Sequence, residues 1–178
     1  MRIADKISKW FLWFLLYSFA GWVYESILFS IALGHWVNRG FLYGPLCPIY
    51  GTGAMLALLI LRKHVKNAVP LFFIGALLAT VVEYTTSVVL ERLFHQTWWD
   101  YSQFPFNIHE LASLNIHGRV SLYGAIAFGV MVVLLIKVVH PRVEVLTERI
   151  ADKTKVVLAS VLAGMVLLDL CVTLVHLL

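Results

Sequence analysis

The stretch Val69-Pro70-Leu71-Phe72-Phe73-Ile74-Gly75-Ala76-Leu77-Leu78-Ala79-Thr80-Val81-Val82-Glu83-Tyr84-Thr85-Thr86-Ser87-Val88-Val89-Leu90 decides the fold. It carries a single charge, Glu83. As a helix it rises about 33 Å, enough to cross a hydrocarbon core of roughly 30 Å. Comparable runs on either side give five predicted spans, at 10–33, 44–61, 69–90, 120–139 and 156–178. Of 178 residues, 61% are apolar, against roughly 45–50% in a soluble domain. The chain therefore reads as all-α, a polytopic membrane helical bundle of about five transmembrane helices in one integral domain, 1–178. The first run is too long for a signal-peptide core and contains Glu25, so it is expected to stay as an anchor.

Charge placement predicts the orientation. Arg2, Lys6, Lys9, Arg62, Lys63, Lys66, Lys137, Arg142, Arg149, Lys153 and Lys155 fall on one side of the spans, and only Arg39, Arg92 and Arg119 on the other. Positive flanks are retained in the cytoplasm, so the N-terminus is expected inside and the C-terminus outside, in the plasma (inner) membrane. The net charge of +4 is then a matter of topology rather than of nucleic-acid binding. No Gly-x4-Gly-Lys-Ser/Thr phosphate cradle is present, so the chain is not an ATPase by itself. After Pro141, Val143, Leu146 and Ile150 recur at helical spacing, predicting an amphipathic cytoplasmic helix over 141–155 that rests on lipid or docks a partner.

The second span is irregular: Gly44, Pro45, Pro48, Gly51 and Gly53 crowd one half and leave about Pro48 to Leu61 as good helix. Unwound backbone at membrane depth needs protein or water around it, so polar groups are expected beside 45–51. A plain helix entrance with Pro48 in its first turn is the alternative.

Glu25, Glu83 and Asp169 lie inside predicted spans and fall in one layer of the outer leaflet. Such acids are costly in lipid and call for partners; Arg39, Arg92 and Arg119 are the candidates. Glu83, Ser87 and Glu91 share one helix face, as do Ser18, Gly21, Trp22 and Glu25. The two stripes are expected to enclose a polar pocket open to the outer side, or else to lock the bundle through ion pairs. The outer loops are dense in polar and aromatic groups: His35, Trp36, Asn38 and Arg39; Trp98, Trp99, Asp100, Tyr101 and Ser102; Asn115, His117 and Arg119. His35, His95, His109, His117 and His176 show no paired ligand spacing, so no metal or other cofactor is expected. Cys47 and Cys171 are expected as free thiols, with a disulfide in an oxidising compartment as the alternative.

Glu25, Asn38-Arg39-Gly40 and Leu42-Tyr43-Gly44 are echoed by Glu83, His117-Gly118-Arg119 and Leu122-Tyr123-Gly124, either a parallel repeat of two hairpins or a chance likeness. Small-residue pairs Ala125/Gly129 and Ser160/Gly164 favour close helix contacts, within the chain or in a homo-oligomer.

The run Asn38-Arg39-Gly40-Phe41-Leu42-Tyr43-Gly44-Pro45-Leu46-Cys47-Pro48-Ile49-Tyr50-Gly51, with Glu83-Tyr84, Trp98-Trp99-Asp100-Tyr101-Ser102 and Gly118-Arg119, resembles the CmpB-type ABC-transporter permease family over about residues 10–140. The resemblance implies that Glu25, Arg39, Gly40, Gly44, Pro45, Pro48, Tyr50, Gly51, Glu83, Glu91, Trp99, Asp100, Tyr101 and Arg119 carry the family pattern. One departure is an insertion of about eight residues that repeats Asn107-Ile108-His109 as Asn115-Ile116-His117. Together, residues and resemblance give a candidate solute-binding set: Glu25, Asn38, Arg39, Tyr50, Glu83, Glu91, Asp100, Asn115 and Arg119. The expected function is the permease subunit of an ABC-type transporter, in the lipid bilayer, with a separate ATPase subunit meeting 62–66 and 142–155. The competing readings are an outer-leaflet lipid-handling enzyme, with Glu25, Glu83 or Asp100 as acid or base, and a structural or binding membrane module.

Overall fold

The computed structural model describes residues 3–103 and 114–177. Asn107 and His109, and with them the first copy of the repeated tripeptide, lie outside the described residues. The elements in order are α1 (Ile3–Leu33), α2 (Pro48–Ile60), α3 (Ala68–Phe94), a 3-10 turn at Tyr101–Gln103, β1 (Asn115–Ile116), β2 (Val120–Ser121), α4 (Leu122–Glu148) and α5 (Asp152–Leu177). Apart from the two-residue strands, the protein is an all-α bundle. α1, α3, α4 and α5 are each long and apolar enough to cross a membrane.

α2 is different. Its 13 residues rise only about 20 Å, short of the roughly 30 Å of a hydrocarbon core. The segment before Pro48 is irregular, and neighbouring helices satisfy its backbone. The Val37 N–H donates to Ser30 Oγ (2.9 Å) and the Arg39 N–H to Ser26 Oγ (3.2 Å). Lower down, the Cys47 N–H donates to the Ser18 carbonyl (3.0 Å), and Trp22 Nε1 donates to Asn38 Oδ1 (2.6 Å). Ser18, Trp22, Ser26 and Ser30 stand four residues apart on one face of α1, which makes that face a rail for the loop. From the other side, the Asp169 carboxylate on α5 accepts from the Tyr43 N–H (3.2 Å) and the Gly44 N–H (2.9 Å). Gly40, at φ +116 with the Leu46 carbonyl 2.8 Å from where a Cβ would stand, can only be glycine.

α1 and α2 run antiparallel in close contact: a Cβ on Gly21 would meet the Tyr50 ring at 2.2 Å, and one on Gly51 would meet Ser18 Oγ at 2.2 Å. α3 and α4 pair in the same manner, with Gly129 against the Phe72 ring and Gly75 against Val132. Ala125/Gly129 thus belongs to a contact within the chain, whereas Gly164 of the second small-residue pair faces open space. α5 packs along α1, with an ion pair between Lys155 Nζ and Asp5 (2.9 Å).

α4 does not stop at Pro141. Five residues, Leu135–Val139, form a π turn in which the His140 N–H reaches the Leu135 carbonyl. Proline in a helix has no N–H and crowds the carbonyl four residues earlier, here Lys137. Widening the helix at that point removes the clash, so the rod continues to Glu148. The 141–155 stretch is divided between the end of α4 and the first turn of α5, with the break at 149–151.

The tightest packing lies towards one end, around Trp13, Tyr17, Leu58, Leu61, Leu71 and Ile136. Arg62 pairs there with Glu144, and Lys137 donates to the Lys66 carbonyl, which gathers the basic segments at a common end of the bundle. At the opposite, aromatic end, Phe41 packs on Trp98 (5.2 Å between ring centres) and Trp22 on Trp36 (6.1 Å).

Candidate functional site

The loop laid along α1 delivers Arg39 to Glu25. Arg39 Nε stands 3.5 Å from Glu25 Oε2, and its guanidinium lies 4.1 Å from the centre of the Phe29 ring. Glu25 also accepts from the Tyr50 hydroxyl (2.9 Å), which the Gly21 contact brings close enough. Asn38 serves the loop itself: besides accepting from Trp22, its Nδ2 donates to the Tyr43 carbonyl (3.1 Å).

A second cluster forms where the Trp98 to Ser102 loop meets the small hairpin. β1 and β2 pair Asn115 with Ser121 and Ile116 with Val120. His117 (φ 55) and Gly118 (φ 68) take successive left-handed conformations, and the Arg119 N–H donates to the Ile116 carbonyl (3.0 Å), a type I′ turn. Asn115 Oδ1 accepts from the Gly118 N–H (2.8 Å) and steadies the turn. Trp99 Nε1 donates to the Arg119 carbonyl (2.8 Å), and the Tyr101 N–H to the Gly118 carbonyl (2.8 Å). Asp100 caps its own loop, accepting from the Ser102 N–H (2.9 Å) and hydroxyl (2.7 Å), and its Oδ1 lies 2.3 Å from where a Gly118 Cβ would stand.

This scaffold aims two groups at α3. The Tyr101 hydroxyl donates to Glu83 Oε1 at 2.5 Å. Burial, and after it the Glu83 charge, pushes the Tyr101 phenol above its ordinary range, so it stays a donor. Arg119 donates to Ser87 Oγ (2.9 Å) and forms an ion pair with Glu91. The expected pairing of three acids with three arginines therefore holds only for Glu25. Glu83 takes a tyrosine hydroxyl, and Asp169 takes backbone N–H groups of the irregular segment.

Between α1, α2, α3 and α4 lies a cavity of about 590 Å³. Glu25, Arg39, Tyr50 and Glu83 line it, as do Tyr24, Trp99, Tyr101, Tyr123 and Phe128. Glu25 and Glu83 both line this chamber, whose walls are mostly apolar, where the two stripes predict a polar pocket. α1 and α3 stand apart across it, and the long side chains of α2 and α4 fill the intervening wall. Glu91 and Arg119 instead border a separate cleft of about 600 Å³ with Tyr84, Arg92, His95 and His117. Of the nine candidates, Asn38, Asp100 and Asn115 are engaged in loop scaffolding and line neither space. Cys47 is buried and Cys171 exposed, both as free thiols.

Sequence reasoning missed a buried group at the basic end. His140, with no exposed surface, has Nδ1 2.7 Å from the Tyr17 hydroxyl and Nε2 3.1 Å from Arg62. A guanidinium only donates, so Nε2 accepts and the imidazole carries its proton on Nδ1, towards Tyr17. Arg62 is held in turn by Glu144 (2.5 Å). The π turn that sets the register of His140 leaves no signal in the sequence except Pro141.

The family model described as "Putative ABC-transporter type IV", of CmpB proteins, matches residues 12–174. The chain belongs to that family. No curated protein and no solved structure matches it. With four membrane-length helices, this CmpB-family chain is a multi-pass membrane protein of a transporter family.

Proposed function

We propose that this chain is the permease subunit of an ABC-type transporter in the plasma membrane, and that the chamber between α1, α2, α3 and α4 receives the solute. The single observation that carries this reading is the chamber itself: about 590 Å³, within the bundle, with two glutamates brought into it from separate hairpins. A volume of that order suits a small molecule, and carboxylates at membrane depth mark pathways more often than packing. Energy would come from a separate ATPase subunit docked at the basic end. There Arg62 and Glu144 tie the turn after α2 to the end of α4, so force applied at that face reaches two walls of the chamber.

Gentle detergent extraction of the tagged chain from its native membrane, followed by mass spectrometry, tests the reading. A stoichiometric ATPase subunit is the expected companion, and Arg149→Ala, at the exposed end of α4, should lower its recovery severalfold while leaving the yield of the chain unchanged. Recovery of the intact chain with no ATPase overturns the proposal.

A further inference from the structure

We propose that the solute of the chamber is a hydrophobic cation and that Glu83 is the carboxylate that pairs with it, an inference that rests on the chamber being the solute site. The other carboxylates buried or half-buried in the bundle have matched partners. Glu25 has Arg39, Asp5 has Lys155, and Asp169 has two backbone N–H groups. Glu83 is 7% exposed, and its partner among the described residues is the neutral hydroxyl of Tyr101. No Lys or Arg among the described residues forms an ion pair with it. A buried carboxylate without a cation is among the costliest groups a bundle can carry, and it faces the chamber rather than a helix.

The lining specifies the missing charge. Among the described residues that line it, Arg39 is the one Lys or Arg and is already taken by Glu25, which leaves two acidic side chains against one basic. An anionic solute would meet both carboxylates. The walls are rich in aromatic rings: Tyr24 packs edge-on against Tyr50 (6.3 Å between ring centres), Tyr50 against Phe128 (5.8 Å), and Trp99, Tyr101 and Tyr123 are among the others. Aromatic faces attract cations, most strongly where water is excluded. The remaining lining is mostly apolar, so the charge must sit on a largely apolar body.

The purified chain in lipid nanodiscs, without any ATPase, can be offered tetraphenylphosphonium and, separately, tetraphenylborate, which has nearly the same shape and the opposite charge. Saturable binding of the phosphonium in preference to the borate is expected. Glu83→Gln should weaken it about tenfold or more. Should Glu83→Gln fail to assemble, the preference of the unmodified chain between the two probes decides. Preferential binding of the borate, or unchanged phosphonium binding by Glu83→Gln, overturns the inference and leaves the chamber as a solute site. Binding of neither probe overturns both.

Discussion

Asp169 is placed two-thirds of the way along α5, where its two oxygens hold the Tyr43 and Gly44 N–H groups of a segment that has no helix of its own. Leaving a buried donor unmatched costs about 1–3 kcal/mol. Asp169→Ala is therefore expected to lower the unfolding temperature of the detergent-purified protein, and Asp169→Asn to recover part of the loss, because an amide oxygen still accepts one of the two bonds. An asparagine variant no more stable than the alanine one would show that the carboxylate does not hold the segment. The acids themselves are legible in the sequence, since Glu25, Glu83 and Asp169 interrupt long apolar runs. Their partners are less so. Arg39 can be read as a cation at the right depth, but a backbone N–H has no letter, and Tyr101 reaches Glu83 only because the hairpin after it folds back on the Trp98 to Ser102 loop.

At the scale of the element, α1 and α2 depend on glycine at their contact. A valine at Gly51 would drive a Cβ to 2.2 Å from Ser18 Oγ and 2.7 Å from the Phe14 carbonyl, one of them backbone, whereas Gly53, two residues on, has nothing within 4 Å. Gly51→Val should abolish the monodisperse peak in size-exclusion chromatography, and Gly53→Ala should leave it in place and gain a little helix stability. Loss of the peak in both would mean that α2 tolerates no side chain anywhere in its first turns, whatever it touches. Helix existence and the shortness of α2, with irregular chain before it, follow from apolar run length and from the Gly and Pro positions. The passage of α4 through Pro141 does not, because a π turn absorbs the proline and its cost depends on packing around His140 that no local pattern encodes.

For the whole molecule, the contacts of Arg62 with Glu144, Lys66 with Lys137 and Asp5 with Lys155 bring the basic segments to a common end. Retention of positive flanks then predicts that this end is cytoplasmic. In a background lacking Cys47 and Cys171, Thr97→Cys should react with an impermeant maleimide on intact cells, and Lys63→Cys only after lysis. The opposite pattern would invert the protein in its membrane and move the proposed ATPase to the other face. The gathering of charge was readable from the chain because flanking lysines and arginines are a topology signal independent of tertiary detail. The apolar character of the chamber was not, since a cavity is what several helices fail to fill, and its walls look in the sequence like any other lipid-facing residues.

The rail of Ser18, Trp22, Ser26 and Ser30 has a consequence for biogenesis. A 13-residue α2 preceded by exposed peptide groups is a weak stop-transfer signal by itself, and in bare lipid its leading strand would have nowhere to put its N–H groups. α1 must therefore already be standing when the segment leaves the translocon, so the first hairpin enters the bilayer as a unit. Ser26→Ala and Ser30→Ala, which remove the two hydroxyl acceptors of that face, would be felt first as chains degraded during synthesis rather than as finished protein with an altered activity.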